Sequence, residues 1–327
     1  MRIGVIGPLG QDRFAENICD SLQRMGHAVT QLGPAGPDRY PRFINTALTL
    51  SRQAFPRLDA RMQQHIIRVA LGADCEVVLN IDKRLMPAAV SRLRRNRVRV
   101  AFWFPDPVSQ LGRELMLLGS YDALFFKEPH ILKYVQGILG LPAYYLPEAC
   151  NPRWHRPLVP AGTEAHIAVA ASMRPSRARL IERLMAKGIP VKVYGDPAPR
   201  WLGDSPIRSV HEGYPVWREQ KARVFRSSAG VLNTLNLPEI FGVNARLFEA
   251  AGSGAAVLTE FRPSLPELFD VGQEVLAFED FDELVAHATR LLNEPGATSR
   301  VGDAAARRAH RDHTYDKRMS VILEKLS

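Results

Sequence analysis

FGVNARLFEAAGSGAAVLTE, residues 241–260, is the stretch that decides the fold. Gly242 opens a loop whose backbone can approach a ligand closely. Asn244 is a helix N-cap. Residues 245–251 then read as a short helix, ended by Gly252 and Gly254 and followed by the apolar strand AAVLT. Exposed amides at the start of such a helix favour a diphosphate. Arg246, in the first turn, can add a charge-assisted hydrogen bond. Glu249 is three residues on and shares that face. A carboxylate placed there can accept from two ribose hydroxyls, each bond worth about 1.5–3 kcal/mol. The same spacing also fits a plain Arg–Glu pair on a helix, worth ~0.3–0.5 kcal/mol. The surrounding glycines and the apolar strand favour a site.

Outward from this segment, strands and helices alternate. Apolar runs bounded by turn residues predict strands at 166–171, 190–194, 207–210, 230–233, 255–259 and 274–278. Leu180, Leu184, Leu284, Val285, Ala288, Leu291 and Leu292 supply buried helical stripes. A charged helix is predicted over roughly 298–326. The N-terminal half repeats the pattern, with strands at 2–6, 28–32, 76–80, 98–104, 122–126 and 144–147. Phe14, Ile18, Leu22 and Met25 mark a helix over 13–25. Continuous apolar strands separated by helices indicate parallel sheets covered on both faces. Ligands of such sheets bind at the strand C-termini.

Between the halves, LPEACNPRWHRPLVPAGTEA (146–165) is proline-rich, lacks periodicity and reads as a linker. The expected division is 1–152, 153–305 and a C-terminal helix, 306–327, packing back toward the first domain. One insert, 38–71, interrupts the N-terminal half. Its apolar residues Phe43, Ala47, Leu50, Ala54 and Phe55 alternate with arginines. Surface helices and an acceptor- or membrane-facing surface both fit that pattern.

The chain has 327 residues, suited to two α/β domains. Hydrophobic residues make up 46% and charged residues 24%, which excludes a disordered chain. No run is long enough to span a membrane, and the N-terminus reads as a strand, not a signal peptide. Cys19, Cys75 and Cys150 are widely spaced, which argues against a disulfide frame and structural zinc and for a reducing, cytoplasmic setting. His310 and His313 lack a third ligand nearby. Net charge is +9; residues 1–150 hold 19 Lys and Arg against 13 Asp and Glu, the remainder 24 against 21. SRLRRNRVR (91–99) concentrates the excess. It fits a solvated helix face, or an anionic acceptor or membrane surface. Without interleaved aromatics it does not suit nucleic acid.

In the N-terminal half, Gly7 and Gly10 of GPLGQDRF suit a loop at a cleft mouth, although GxGxxG is not present. Asp106 of WFPDP follows a buried strand. It suits a general base acting on an acceptor hydroxyl, or a turn before Pro107. Glu148 has the same two readings. His27 reads as a turn residue, and Trp103 and Trp154 as packing residues.

RLFEAAGSGAAVLTE, PSLPELFDVGQEVLAFEDFDELVAHATRLL and HTYDKRMSVIL resemble the C-terminal domain of CgeB-like (spore maturation protein) glycosyltransferases, within the broad glycosyl transferases group 1. SMRPSRARLIERL, VKVYGD, VLNTLN, WFPDP and YLPEACNPRWHRP agree in order. The resemblance covers most of 98–325. It implies a GT-B fold: two Rossmann-like parallel-sheet domains facing across a cleft, donor nucleotide in the second and acceptor in the first. By that resemblance Glu249 holds the donor ribose, Arg177 suits the diphosphate and Gly195 borders the base pocket. Ser172 lies on the same rim, and Asn233 ends a strand facing the cleft. The chain departs from the pattern at Phe241, where many related enzymes carry a glutamate eight positions before the ribose one. Glu239 is the nearest carboxylate. Backbone amides of Phe241, Gly242 and Val243 are expected to serve instead.

The expected activity is metal-independent hexosyl transfer from a nucleotide-diphosphate sugar, a co-substrate, with no other cofactor. Arg177, Arg246 and the helix amides would neutralise the leaving diphosphate. A nucleotide-sugar epimerase and a non-catalytic nucleotide-sugar-binding partner of another transferase are the alternatives. A Rossmann oxidoreductase would need GxGxxG and a following acidic residue. The acceptor class (protein, glycan, lipid-linked sugar or metabolite) is open at this point.

Overall fold

The computed structural model describes residues 1–35, 44, 47–48, 51, 55–112 and 114–327. Phe43, Leu50 and Ala54 of the insert lie outside the described residues. The chain divides into two compact units, Met1–Pro147 with Tyr315–Ser327, and Glu148–Thr314.

The first unit is built on β1 (Arg2–Ile6), β2 (Ala28–Gly33), β3 (Val77–Asn80), β4 (Arg99–Phe104), β5 (Ala123–Phe126) and β6 (Ala143–Tyr145). They form one parallel sheet in the order β2-β1-β3-β4-β5-β6. β3 and β5 are buried along their whole length, as strands covered on both faces must be. Helices Phe14–Arg24, Pro56–Gly72, Pro87–Arg95 and His130–Gly137 supply the cover. Trp103, fully buried, donates its indole N–H to Leu146 O at 3.1 Å and packs against Phe14 and Tyr315. Both roles are structural. The helix Tyr315–Lys325 belongs to this unit, held by the Asp316 carboxylate on Arg24 at 2.5 Å and on the Ser21 hydroxyl at 2.7 Å.

The second unit carries β7 (Glu164–Ala170), β8 (Val191–Tyr194), β9 (Ser228–Asn233), β10 (Val257–Glu260) and β11 (Leu276–Phe278). Its parallel sheet runs β11-β10-β9-β7-β8. Read from the other edge, this repeats the first five strands of the other sheet. The main packing elements are helices Pro175–Ala186, Arg218–Ser227, Ala245–Gly252, Phe281–Asn293 and Pro295–Asp312. Gly302 lets the last of these lie directly on the Gly254 carbonyl, where any Cβ would collide.

Three expectations are corrected. Residues 207–210 are not a strand but part of a 3-10 turn, Pro206–Val210. The Ser205 side chain accepts from Ile207 N, and Pro206 starts the turn, so local capping outweighs one buried isoleucine. The C-terminal helix is two helices, Pro295–Asp312 and Tyr315–Lys325. The break falls where Cys150 N donates to His313 O at 2.9 Å and His313 is wedged beside Phe248 and Phe269. The division comes after Pro147, not after residue 152, because residues 148–155 are tied into the second unit. Cys150 bridges Thr314, and Asn151 N donates to His155 Nδ1.

Candidate functional site

The helix Ala245–Gly252 begins as its sequence predicts. The Asn244 side chain accepts from Leu247 N at 3.3 Å, and its amide donates to Thr234 O. Leu247, Phe248, Ala250 and Ala251 bury one side in the core. Gly252 and Gly254 end it; Gly254 has φ +77, which disfavours a side chain. A Cβ on Gly252 would stand 2.8 Å from the Cys150 sulfur. The seat of this helix therefore needs small residues, and its flank is fixed against the sheet.

On that flank lies a cavity of about 160 Å³ at the C-terminal ends of β7 and β8. Ala170, Ala171 and Ser172 extend from β7, and Tyr194, Gly195 and Asp196 from β8. Pro215, Val216, Trp217 and Lys221 form a second wall, with Arg246 and Glu249 completing the lining. β7 and β9 are where strand order reverses in this sheet, the place such folds offer to ligands. Gly195 is required by its neighbour: a Cβ there would meet the Ala171 carbonyl at 2.7 Å. Ser172 is exposed on the rim.

Glu249 is 8% exposed and Lys221 likewise. Lys221 Nζ stands 2.9 Å from Glu249 Oε2. The glutamate is thus paired and still borders an open cavity. Sequence reasoning missed Lys221. Its signal was a lysine placed with Ala222 and Phe225 on the buried face of helix Arg218–Ser227. Trp217, Val216 and Tyr194 were also missed, since each reads equally well as ordinary packing.

Beside the cavity, Arg177 is buried and donates to Thr234 Oγ1 at 2.5 Å and to the Ser172 carbonyl. Burial, with Arg246 and Arg174 nearby, pushes its guanidinium down to about 10. Burial also lowers Arg246, against the opposing pull of Glu249, Glu239 and Glu148. Guanidinium groups whose charge is disfavoured mainly by burial form a place where an anion is favoured.

The loop 234–243 is rigidly braced. Glu239 is fully buried, and its Oε2 accepts from Asn236 N at 2.7 Å. Arg262 donates to the Glu239 carbonyl, and Ser264 Oγ donates to the Phe241 carbonyl at 2.7 Å. Gly242 is buried beside Val243, whose side chain lies in the core cluster around Phe248. Asn233 is not on the cavity wall. It pairs in register with Thr259 and donates to that hydroxyl at 3.2 Å, fully buried. Glu148 is buried in this unit, among the carboxylates acting on Arg246. Asp106 is exposed in the first unit, just after β4. Trp154 is a packing residue, 4.7 Å from the Arg218 guanidinium. His310 and His313 each spend Nε2 on a backbone carbonyl, of Gly252 and Leu268.

Residues 174–324 match the family described as "Glycosyl transferase-like". No curated protein sequence matches the chain. Among solved structures, the sucrose-phosphate synthase of Thermosynechococcus elongatus is similar at 11% identity, with 99% of this chain and 98% of that one covered and a TM-score of 0.71. Anabaena Alr3699/HepE, solved in complex with UDP-glucose, is 11% identical, with 99% of each chain covered and a TM-score of 0.69. AviGT4, a glycosyltransferase involved in avilamycin A biosynthesis, is 16% identical, with 99% and 96% covered and a TM-score of 0.63. The fold is that of the GT-B glycosyltransferases, with two Rossmann-like parallel sheets. Among the described residues no helix is long and apolar enough to cross a membrane.

Proposed function

We propose that the chain transfers a sugar from a nucleotide-diphosphate donor to an acceptor hydroxyl, holding the donor in its second unit. The observation that carries this reading is Glu249 on the wall of an open cavity with Arg246, inside the segment that matches the glycosyl transferase-like family. The complex of Anabaena Alr3699/HepE with UDP-glucose supports a nucleotide sugar as the ligand.

In this reading the nucleoside enters beside Gly195 and Trp217, and its ribose hydroxyls reach Glu249. The diphosphate lies toward Arg246, Arg177, Ser172 and the first-turn amides of helix Ala245–Gly252. As the bond to the sugar breaks, charge grows on the leaving diphosphate. The arginines and the helix dipole stabilise that charge in a partly dry site. Braced as it is, the loop around Gly242 and Val243 offers backbone groups to the departing sugar without reorganising. Asn233 would act through Thr259 and the strand end, not by touching donor. Asp106 and Glu148 are the proposed bases for the acceptor hydroxyl.

Metal-independent hexosyl transfer of the CgeB-like kind is the specific form proposed. The setting proposed is cytoplasmic, consistent with three buried free cysteines. The basic first unit, with Arg68 and Arg92 flanking a groove over Ile67 and Leu71, is proposed to meet an anionic acceptor or membrane surface.

Thermal-shift titration with UDP-, GDP- and dTDP-sugars and with pyrophosphate tests the reading. A donor at a hundredfold excess over its Kd should stabilise the fold by about 2.7 kcal/mol. No stabilisation by any of them would end the proposal. Binding without transfer to any acceptor would favour a non-catalytic partner, a reading that Phe241 and the inward-tied Glu239 keep in view. A new sugar formed without acceptor would indicate an epimerase.

A further inference from the structure

The donor reading uses Glu249 and leaves Lys221 unexplained. The two side chains come from different helices, Ala245–Gly252 and Arg218–Ser227, and both border the same cavity. Lys221 Nζ takes one carboxylate oxygen, Oε2, at 2.9 Å. Among the described residues, no hydrogen bond goes to the other, Oε1. A buried Lys–Glu pair is a poor way to gain stability, because desolvating two charges offsets most of their attraction. It is a good way to fix a carboxylate. One oxygen is held by an ammonium from the neighbouring helix, which restricts how the group can turn, while the residue borders the cavity.

We infer that Lys221 is a positioning residue, which holds the Glu249 carboxylate oriented to accept from the ribose hydroxyls of the bound nucleotide. The inference rests on the donor reading above. It places Lys221 outside direct contact with the sugar or phosphates. Other charged groups near Glu249 differ in role. Arg246 stands one turn earlier on the same helix and faces the anion. Asp196 is exposed on another wall of the cavity. A ring nitrogen of His155 lies within 4.8 Å of a Glu249 carboxylate oxygen. Among the described residues, Lys221 is the cation that forms an ion pair with Glu249.

The test separates orientation from folding by asking for ribose discrimination. Calorimetry on whichever of UDP and GDP binds more tightly is compared with its 2′,3′-dideoxy counterpart. The proteins are wild type, Lys221→Met, Lys221→Arg and Glu249→Gln. Wild type should prefer the ribonucleotide by about tenfold or more, the scale of a charge-assisted hydrogen bond. Lys221→Met should weaken ribonucleotide binding, leave the dideoxy Kd nearly unchanged, and so erase most of that preference. Lys221→Arg should retain part of it. If Lys221→Met does not fold, Lys221→Gln, which loses the charge but stays polar, is read in the same way. A variant that lowers the melting temperature yet keeps the wild-type preference would overturn the inference, as would equal loss for both ligands. Loss of preference in Glu249→Gln but not in the Lys221 variants would overturn this inference alone. A wild type with no preference would remove the ribose reading and this inference with it.

Discussion

The two sheets share a strand order, yet the side chains at their strand ends are arranged differently. In the second unit, the ends of β7 and β8 open on a cavity with Arg246, Lys221 and Glu249 on its wall. In the first unit, the ends of β1 and β3 are closed by their own side chains. A Cβ on Gly7 would run into Ile81. The Asp82 carboxylate accepts from Ala35 N at 2.9 Å and from Arg84 at 2.6 Å, while Asn80 donates to the Tyr121 hydroxyl at 2.9 Å. Among the described residues, the polar groups named here satisfy one another. Topology offers a crevice in both units, but the residues at the strand ends decide whether it receives a ligand.

The sharpest way to break this comparison is Arg246→Ala. If charge develops on a diphosphate in the second unit, kcat should fall about 10²- to 10³-fold, with a smaller change in donor KM. Steady-state kinetics that show equal turnover would remove the proposed role. Next in size, Glu249→Ala should weaken nucleotide binding about tenfold or more by calorimetry. Its counterpart, Asp82→Ala, should cost about 1–3 kcal/mol in denaturant unfolding and leave nucleotide affinity untouched. Gly7→Ala and Gly195→Ala sharpen the contrast. Each should destabilise by about 1–3 kcal/mol, because a methyl must displace a close neighbour. Only Gly195→Ala should also weaken nucleotide binding. The smallest effect belongs to Asn244→Ala, about 1 kcal/mol by thermal denaturation, from loss of the cap on Leu247 N.

The same contrast explains what could be read before the fold was known. Helix Ala245–Gly252 was legible because its signals are local: a capping Asn, an apolar face and two glycines that the packing demands. A strand such as β5 was legible because full burial leaves an unbroken apolar run. The turn at Pro206–Val210 was misread as a strand, since Ile207 and Val210 look alike in either state until Ser205 is seen to cap. Lys221 escaped notice because its partner is on another helix, and no spacing rule joins residues 221 and 249. Asn233 drew attention as a polar strand end, and only the structure shows its amide donating to Thr259 on the next strand.

By itself, the sequence determined the alternation of parallel strands and helices, the short capped helix and the position of Arg246 and Glu249 on it. These follow from periodicity, capping and backbone permissiveness, all properties of neighbouring residues. Only the tertiary structure decided that Lys221 meets Glu249, that Glu239 braces its own loop, and that a cavity opens beside them at the ends of β7 and β8. Those outcomes depend on which distant side chains share a buried space, and burial is set by how whole elements pack, not by any one segment.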